Sequence, residues 1–217
     1  MKKVLLPILS ILLILSFSNI NAQTHFALGV RAGLGFANLS FNPDVTSGVT
    51  KSSRTGFQFG GMAELSFSPM IAIQAEPMFV TGAGCQLSGA GGKDTYELSF
   101  LEIPVLLKFK VPITKSELTP YFFAGPNLIF VMSSKDLLEL NNTPSKETNN
   151  SDLTSSVVFA IDFGAGAGFK VAPLITVMMD VRYSLGLSNL LNDKGGAANQ
   201  SIKTNGFQIV AGVMFGL

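Results

Sequence analysis

Eight charged side chains carry most of the chemical character of this 217-residue sequence. They are Arg31, Glu64, Glu76, Glu102, Lys108, Asp162, Asp180 and Arg182. Charged residues make up only 13% of the chain, so charges set among apolar neighbours need partners. Five of the eight are acidic and three are basic, which suits a self-paired polar plug or, alternatively, a path for ions or protons.

Signals for catalysis or cofactor binding are weak. His25 is the only histidine and begins the first predicted strand, which argues against an enzyme with a histidine general base. Cys85, the only cysteine, cannot form an internal disulfide, and we expect it in a Gly-rich surface loop without a redox or metal role. Gly164, Gly166 and Gly168 are followed by neither a helix nor a Lys-Ser/Thr pair, so they do not form a nucleotide-binding loop. The sequence therefore predicts no catalytic residue, no cofactor and no metal site.

The charges lie within segments that alternate between apolar and polar residues. From Leu101 to Phe109 the odd positions are apolar, whereas Glu102 and Lys108 share the opposite face. Alternation with a period of two indicates a β-strand. This pattern recurs in a chain that has no long hydrophobic stretch after its N-terminal segment, which indicates a transmembrane β-barrel with an apolar outside and a polar inside. A soluble lipocalin-like barrel is the alternative, but it would need an apolar interior.

The N-terminal segment has the form of a secretory signal peptide. Met1-Lys2-Lys3 precedes an apolar core over residues 4–17, and Ala22 provides a small residue for cleavage. The core is shorter than the roughly 20 residues that a helical membrane span needs. We therefore predict a signal peptide at residues 1–22 and an outer-membrane barrel domain at residues 23–217.

Eight strands are predicted, and the connections between them alternate in length. The strands cover residues 25–38, 55–67, 70–82, 96–111, 119–132, 153–171, 174–186 and 204–217. The segments 39–54, 83–95, 133–152 and 187–203 are long and polar, whereas the intervening connections are short. The predicted fold is all-β: an eight-stranded antiparallel transmembrane β-barrel with short periplasmic turns and long extracellular loops.

An eight-stranded barrel is just wide enough to be filled by side chains, so the eight charges are expected to form a structural interior polar cluster. A turn near Ala172-Pro173 would place Asp162 opposite Arg182 as an ion pair. Inward glycines would relieve crowding in the narrow interior. Residues 121–123, Tyr-Phe-Phe, are apolar on both faces and are expected at the membrane interface.

Several segments of the sequence resemble the PorT family of outer-membrane β-barrel proteins. They are Gly29–Gly33, Gln74–Pro77, Leu101–Lys108, Pro120–Pro126 and Asp180–Leu187. The Leu-Glu-Ile-Pro and Pro-Tyr-x-x-Ala-Gly-Pro pieces are the most specific parts. The resemblance implies an eight-stranded barrel that a Sec-type signal directs to the outer membrane. The founding member of the family is associated with a protein secretion system, a role that the resemblance does not by itself extend to this chain.

The sequence favours a non-enzymatic outer-membrane protein with a structural or loop-mediated binding role at the cell surface. The alternatives are a component of a protein secretion or envelope complex, and a small outer-membrane barrel enzyme. A diffusion pore is disfavoured because open aqueous channels belong to barrels of about 16 strands. The expected partners are the lipid bilayer and, during biogenesis, the Sec translocon and the barrel-assembly machinery. The net charge of +1 gives no indication of nucleic acid, and no protein partner is predicted.

Overall fold

The structure, a computed structural model, describes residues 24–42, 50–89, 92–140, 146–149, 155–190 and 201–217. Ten strand segments form one sheet: β1 (His25–Asn42), β2 (Thr50–Ser66), β3 (Ile71–Ala75), β4 (Met78–Gly89), β5 (Gly92–Lys110), β6 (Leu118–Leu140), β7 (Lys146–Asn149), β8 (Val157–Ala172), β9 (Ile175–Gly186) and β10 (Ser201–Gly216). Among these residues, no helix is long and apolar enough to cross a membrane. The predicted signal peptide and residues 43–49, 90–91, 141–145 and 191–200 of the predicted loops lie outside the described residues, as do residues 150–154, which include the start of the predicted sixth strand.

The sheet closes into a ring of eight antiparallel strands, which confirms the predicted fold class. β1 pairs with both β2 and β10, and the remaining neighbours follow in chain order. β3 and β4 together fill the third place in the ring, because both pair with β2 and β5. The interruption between them falls at Glu76 and Pro77, since proline has no N–H to donate to the ladder. The short β7 pairs with the far end of β6.

The register of the ring fixes its shape. One circuit of directly paired residues runs Phe26, Leu65, Ile73, Leu107, Ala124, Phe163, Tyr183, Phe207 and Phe36. The circuit thus returns to β1 ten residues beyond its start, between Phe26 and Phe36. Eight strands with this stagger are tilted by about 40° and enclose a narrow interior. Side chains from opposite walls therefore meet in the middle.

Alternation along the strands separates an apolar outer surface from a polar interior. Outward residues such as Val30, Leu107 and Phe122 are exposed, at 62%, 58% and 58%. Their neighbours Arg31, Lys108 and Tyr121 are buried inside the ring. Exposed apolar side chains from every strand of the ring form a band around the outer wall, and this band is suited to lipid rather than water.

Several strands are longer than predicted at the end of the barrel that carries the long connections, here called the loop end. β4 and β5 form a hairpin that reaches Gly89 and Gly92, so most of the predicted loop 83–95 is strand. Gly82, with a φ of 74°, allows a bulge between Val80 and Ala83, where this hairpin begins to extend beyond the rest of the ring. β6 likewise continues to Leu140, opposite Gly92. The glycines that resembled a loop in the sequence instead support a bulged strand.

Candidate functional site in the barrel lumen

The structure brings all eight predicted interior charges into the lumen. Each of them is at most 3% exposed. They arrive from five different strands and from the β3–β4 interruption, because each sits at an inward position of its strand. They form three groups at successive levels between the two ends of the barrel.

The middle group is a closed ring of two arginines and two carboxylates, here called the central tetrad. Arg31 donates to the Glu76 Oε1 atom at 2.5 Å and also to Asp180. Arg182 donates to the Glu76 Oε2 atom at 2.8 Å and to the Asp180 Oδ1 atom at 2.9 Å. Each guanidinium therefore bridges both carboxylates, which the planar fork of N–H donors allows. The ring joins residues from β1, β9 and the segment between β3 and β4.

The predicted ion pair between Asp162 and Arg182 is wrong. Asp162 lies opposite Ser184, and Arg182 lies opposite Gly164. The turn residues are Pro173 and Leu174 rather than Ala172 and Pro173, which moves every β8–β9 pair by two positions. The irregularity between Lys170 and Ala172 reverses only one of these two positions. The guanidinium of Arg182 is instead bound to the other two acids of the central tetrad.

The second group, here called the lysine group, lies toward the end of the barrel with the short turns, the turn end. Lys108 donates to the Glu64 Oε2 atom at 2.7 Å and to the Gln74 Oε1 atom at 2.6 Å. Lys110 donates to the Glu64 Oε1 atom at 2.9 Å and to the Ser66 hydroxyl at 2.8 Å. Lys110 was not among the predicted site residues, although it shares the inward parity of Lys108. Two lysines thus hold one carboxylate on β2 against β5.

Two aromatic side chains fill the space beside these charges. Tyr121 donates its hydroxyl to the Asp180 Oδ2 atom at 3.0 Å, and its ring lies 4.2 Å from the Lys108 ammonium. The Phe123 ring centre lies 5.1 Å from the Arg182 guanidinium carbon. Both rings are buried in the lumen, so the expectation that residues 121–123 lie at the membrane interface is wrong for these two. The aromatic type of these two residues gives no sign that they enter the lumen, whereas their position on the inward-facing parity of β6 does.

Glycines make room for these rings. A Cβ atom at Gly164 would lie 2.3 Å from the Val181 carbonyl oxygen and 2.7 Å from the Phe123 ring. A Cβ atom at Gly166 would come within 2.7 Å of the Tyr121 ring. The glycines predicted to relieve crowding therefore do so against specific neighbours.

The third group, here called the upper carboxylate group, lies on the loop-end side of the central tetrad. It consists of Glu102 on β5, Asn127 on β6 and Asp162 on β8. The Asn127 side-chain N–H₂ donates to the Asp162 Oδ2 atom at 3.0 Å and to the Glu102 Oε2 atom at 3.3 Å. Unlike the other lumen carboxylates, Glu102 and Asp162 form no salt bridge within the described residues. Asn127 was missed by the sequence reasoning, because an uncharged residue gives no signal of its own.

Above this group the lumen is closed by apolar side chains. These buried side chains lie inside the barrel near its loop end and are here called the outer apolar cluster: Cys85, Leu98, Ile129, Val158, Ala160 and Leu190. Cys85 is fully buried in β4 rather than placed in a surface loop. Nearby on the outside, the Lys93 and Glu139 side chains are 43% and 50% exposed. The polarity of the wall is thus inverted beyond the apolar band, as expected where strands leave lipid for water.

Below the lysine group the lumen opens into a vestibule at the turn end. This cavity has a volume of about 680 Å³ and is lined by residues including His25, Lys110 and Lys170. The exposed His25 lies opposite Ser66 in the β1–β2 register, and the buried Ser66 hydroxyl donates to Glu64 and accepts from Lys110. Across the described ranges, no group of three or more His, Cys, Asp and Glu side chains could hold a metal ion.

Comparisons with known proteins agree with this architecture. The sequence profile of the family described as "Outer membrane protein beta-barrel domain" matches residues 21–192. The crystal structure of the outer membrane protein OprG from Pseudomonas aeruginosa superposes with a TM-score of 0.53 at 14% identity, covering 90% of this chain and 96% of that one. Neisserial surface protein A gives a TM-score of 0.48 at 14% identity, with 87% and 97% of the two chains covered. No curated protein matches the sequence. The protein is located in the outer membrane with its apolar outer face against the lipid bilayer, and the chain belongs to the outer membrane protein beta-barrel domain family.

Proposed function

We propose that this protein is a non-enzymatic outer-membrane barrel that acts at the cell surface rather than by conducting solutes. The observation that carries the proposal is the filled lumen. The central tetrad crosses the interior, because Glu76 in the β3–β4 segment binds Arg182 of β9 on the opposite side of the ring, and the outer apolar cluster closes the loop end above it. An interior of this kind stabilises the barrel and leaves its external surface for interactions.

The long-strand extensions are the surface that we assign to this role. β4, β5 and the far part of β6 rise beyond the apolar band as a continuous antiparallel wall that ends at Gly89, Gly92 and Leu140. Exposed ion pairs, including Lys93 with Glu139, indicate that this wall stands in water. A rigid, solvated sheet of this kind suits a structural contact or the recognition of a ligand outside the cell.

The resemblance to the PorT family supports a second version of the same role, in which the wall contacts a protein of a secretion or envelope complex. Biogenesis would follow the usual route, with residues 1–22 as a cleaved Sec signal and the barrel-assembly machinery inserting residues 23–217. An enzymatic role is disfavoured because the single histidine is at the turn end, away from the solvated wall.

An accessibility experiment in intact cells tests the proposal. An epitope tag inserted between Gly89 and Gly92 should be reached by antibody, and a tag at Ser68-Pro69 in the β2–β3 turn should be hidden until the cells are opened. Cross-linking from a cysteine placed at Glu139, in a Cys85→Ala background, should then capture a ligand or partner, whereas the matched cysteine at Ser68 should not. Labelling of the Ser68 tag alone would place the wall in the periplasm and contradict the surface role.

A further inference from the structure

Within the part of the chain that the structure describes, the upper carboxylate group has no ion-pair partner, and the charges of the lumen do not balance. Four basic side chains, Arg31, Arg182, Lys108 and Lys110, form buried or half-buried ion pairs with Glu64, Glu76 and Asp180. Because four basic side chains face three acidic ones, these ion pairs leave one excess positive charge. Glu102 and Asp162 add two negative charges, so the ionised lumen is short of one positive charge. Uncompensated charge in a dry interior is strongly unfavourable.

Three oxygen atoms of the same group also lack hydrogen-bond donors. They are the Glu102 Oε1, Asn127 Oδ1 and Asp162 Oδ1 atoms, all completely enclosed by protein. Asn127 is 0% exposed, and its N–H₂ group is already shared between the two carboxylates. Its amide therefore holds the two acids around itself while its own oxygen remains unsatisfied. Buried oxygens in this condition need a donor or a cation.

We propose that Glu102, Asn127 and Asp162 form a binding site for one small monovalent cation inside the barrel. Two carboxylates and an amide carbonyl are the oxygen ligands that hard cations prefer. A cavity of about 40 Å³, enough for one ion or one water molecule, lies beside Glu102 and is also lined by Gln58, Ser184 and Gln208, whereas Asn127 and Asp162 do not line it. One positive charge makes the lumen neutral, whereas a divalent ion would overcompensate it. An alkali-metal ion or a proton can supply this charge, and experiment separates them.

The charged groups that face the site cannot take over this role. Arg182 on β9 and Glu76 between β3 and β4 are the neighbours that act electrostatically on the pair. Arg182 already donates its N–H groups to Glu76 and Asp180. The Gln208 side chain on β10 donates a long hydrogen bond of 3.5 Å to the Glu102 Oε2 atom, and this amide carries no charge. The site therefore depends on a charge from outside the described residues.

The test measures unfolding of the purified barrel by urea in detergent, with NaCl replaced stepwise by choline chloride at constant ionic strength. If a metal ion binds, the folding equilibrium constant at about pH 8 should be about 100-fold higher in Na⁺ when its concentration is about 100 times the dissociation constant. If a proton binds, that constant should instead rise up to about tenfold per pH unit as the pH is lowered from about 8 to about 5, equally in both salts. Either result supports the site and identifies its occupant.

Variants locate the effect. Glu102→Gln removes one negative charge with little change of shape, so it should abolish the dependence that wild type shows, and Asp162→Asn should do the same. Glu139→Gln, at an exposed carboxylate, is the matched control and should keep it. A wild-type barrel that responds to neither Na⁺ nor pH holds only water at these oxygens and overturns the proposal. A response that persists unchanged in Glu102→Gln, or in Asp162→Asn should the first variant fail to fold, also overturns it.

Discussion

Neutralising Glu76 is the sharpest perturbation of the lumen. The Glu76→Gln variant keeps the size of the side chain and one acceptor oxygen but removes the charge that holds both arginines of the central tetrad. Arg31 and Arg182 would then share Asp180 alone, leaving one guanidinium charge without a counter-charge in a fully buried site. Wild-type Glu76 is 0% exposed, so water cannot replace the lost partner.

The expected cost follows from that burial. Removing one partner of a buried ion pair destabilises a protein by about 3–5 kcal/mol, whereas an exposed pair contributes about 0–1 kcal/mol. Glu139 provides the exposed comparison, because its carboxylate lies 3.9 Å from Lys93 and both side chains are solvated. Glu76→Gln should therefore lower the folding equilibrium constant by more than 100-fold, and Glu139→Gln by less than about tenfold.

The chain contains no tryptophan, so the folded fraction is best followed by the mobility difference between folded and heat-unfolded barrel on a detergent gel. Urea titrations of wild type, Glu76→Gln, Glu139→Gln and the double variant Arg31→Gln, Glu76→Gln give the four free energies. The double variant restores charge balance and should recover more than about 1 kcal/mol of the loss. Equal costs for Glu76→Gln and Glu139→Gln, below about 1 kcal/mol, would refute the reasoning that the tetrad is a dry, mutually dependent ion-pair ring.

Two further substitutions test the wall of the barrel. Val30→Arg places a charge between the exposed Leu28 and Leu34 on the outward face of β1 and should destabilise the membrane-inserted barrel by about 2–4 kcal/mol. Val111→Arg, beside the turn end, should cost about 0–1 kcal/mol. Equal tolerance of the two variants in a vesicle-refolding assay would argue against a lipid-facing wall. Gly164→Ala forces a Cβ atom to 2.3 Å from a backbone carbonyl oxygen and should cost about 1–3 kcal/mol in urea titration, but Gly35→Ala, whose nearest neighbour would be 3.8 Å away, should be nearly neutral. Similar stability of the two glycine variants would show that the lumen is not closely packed at β8.

The barrel and its inward charges could be predicted because lipid on one side and a crowded interior on the other act on every strand separately. Arg31 and Asp180 each reveal their facing by the parity of their own neighbours, without knowledge of the rest of the chain. Their mutual contact could not be predicted, because it depends on the registers of β1 and β9 with β10, the strand that lies between them. The sequence thus identifies which side chains enter the lumen but not which of them meet.

The specific errors have local physical causes. The predicted pair of Asp162 and Arg182 depends on a turn at Ala172-Pro173, whereas the turn residues are Pro173 and Leu174, and a one-residue shift of a turn moves every pair by two positions. Tyr121 stands in an apolar stretch of the sequence that gives no sign of its polar contact, although its hydroxyl donates a hydrogen bond to Asp180. The glycines around Cys85 predict a loop, whereas Gly82 and Gly84 instead allow a bulged strand that carries Cys85. In each case backbone geometry, which period-two patterns do not encode, decided the outcome.

Conductance across a planar lipid bilayer tests the central claim, a lumen closed by its own side chains, most directly. The account predicts that the purified wild-type barrel, shown to be folded and inserted, carries no steady ionic current, because the central tetrad and the outer apolar cluster block the passage. A steady conductance on the nanosiemens scale from the same preparation would contradict the closed lumen and, with it, the proposal that the protein acts only through its external surface.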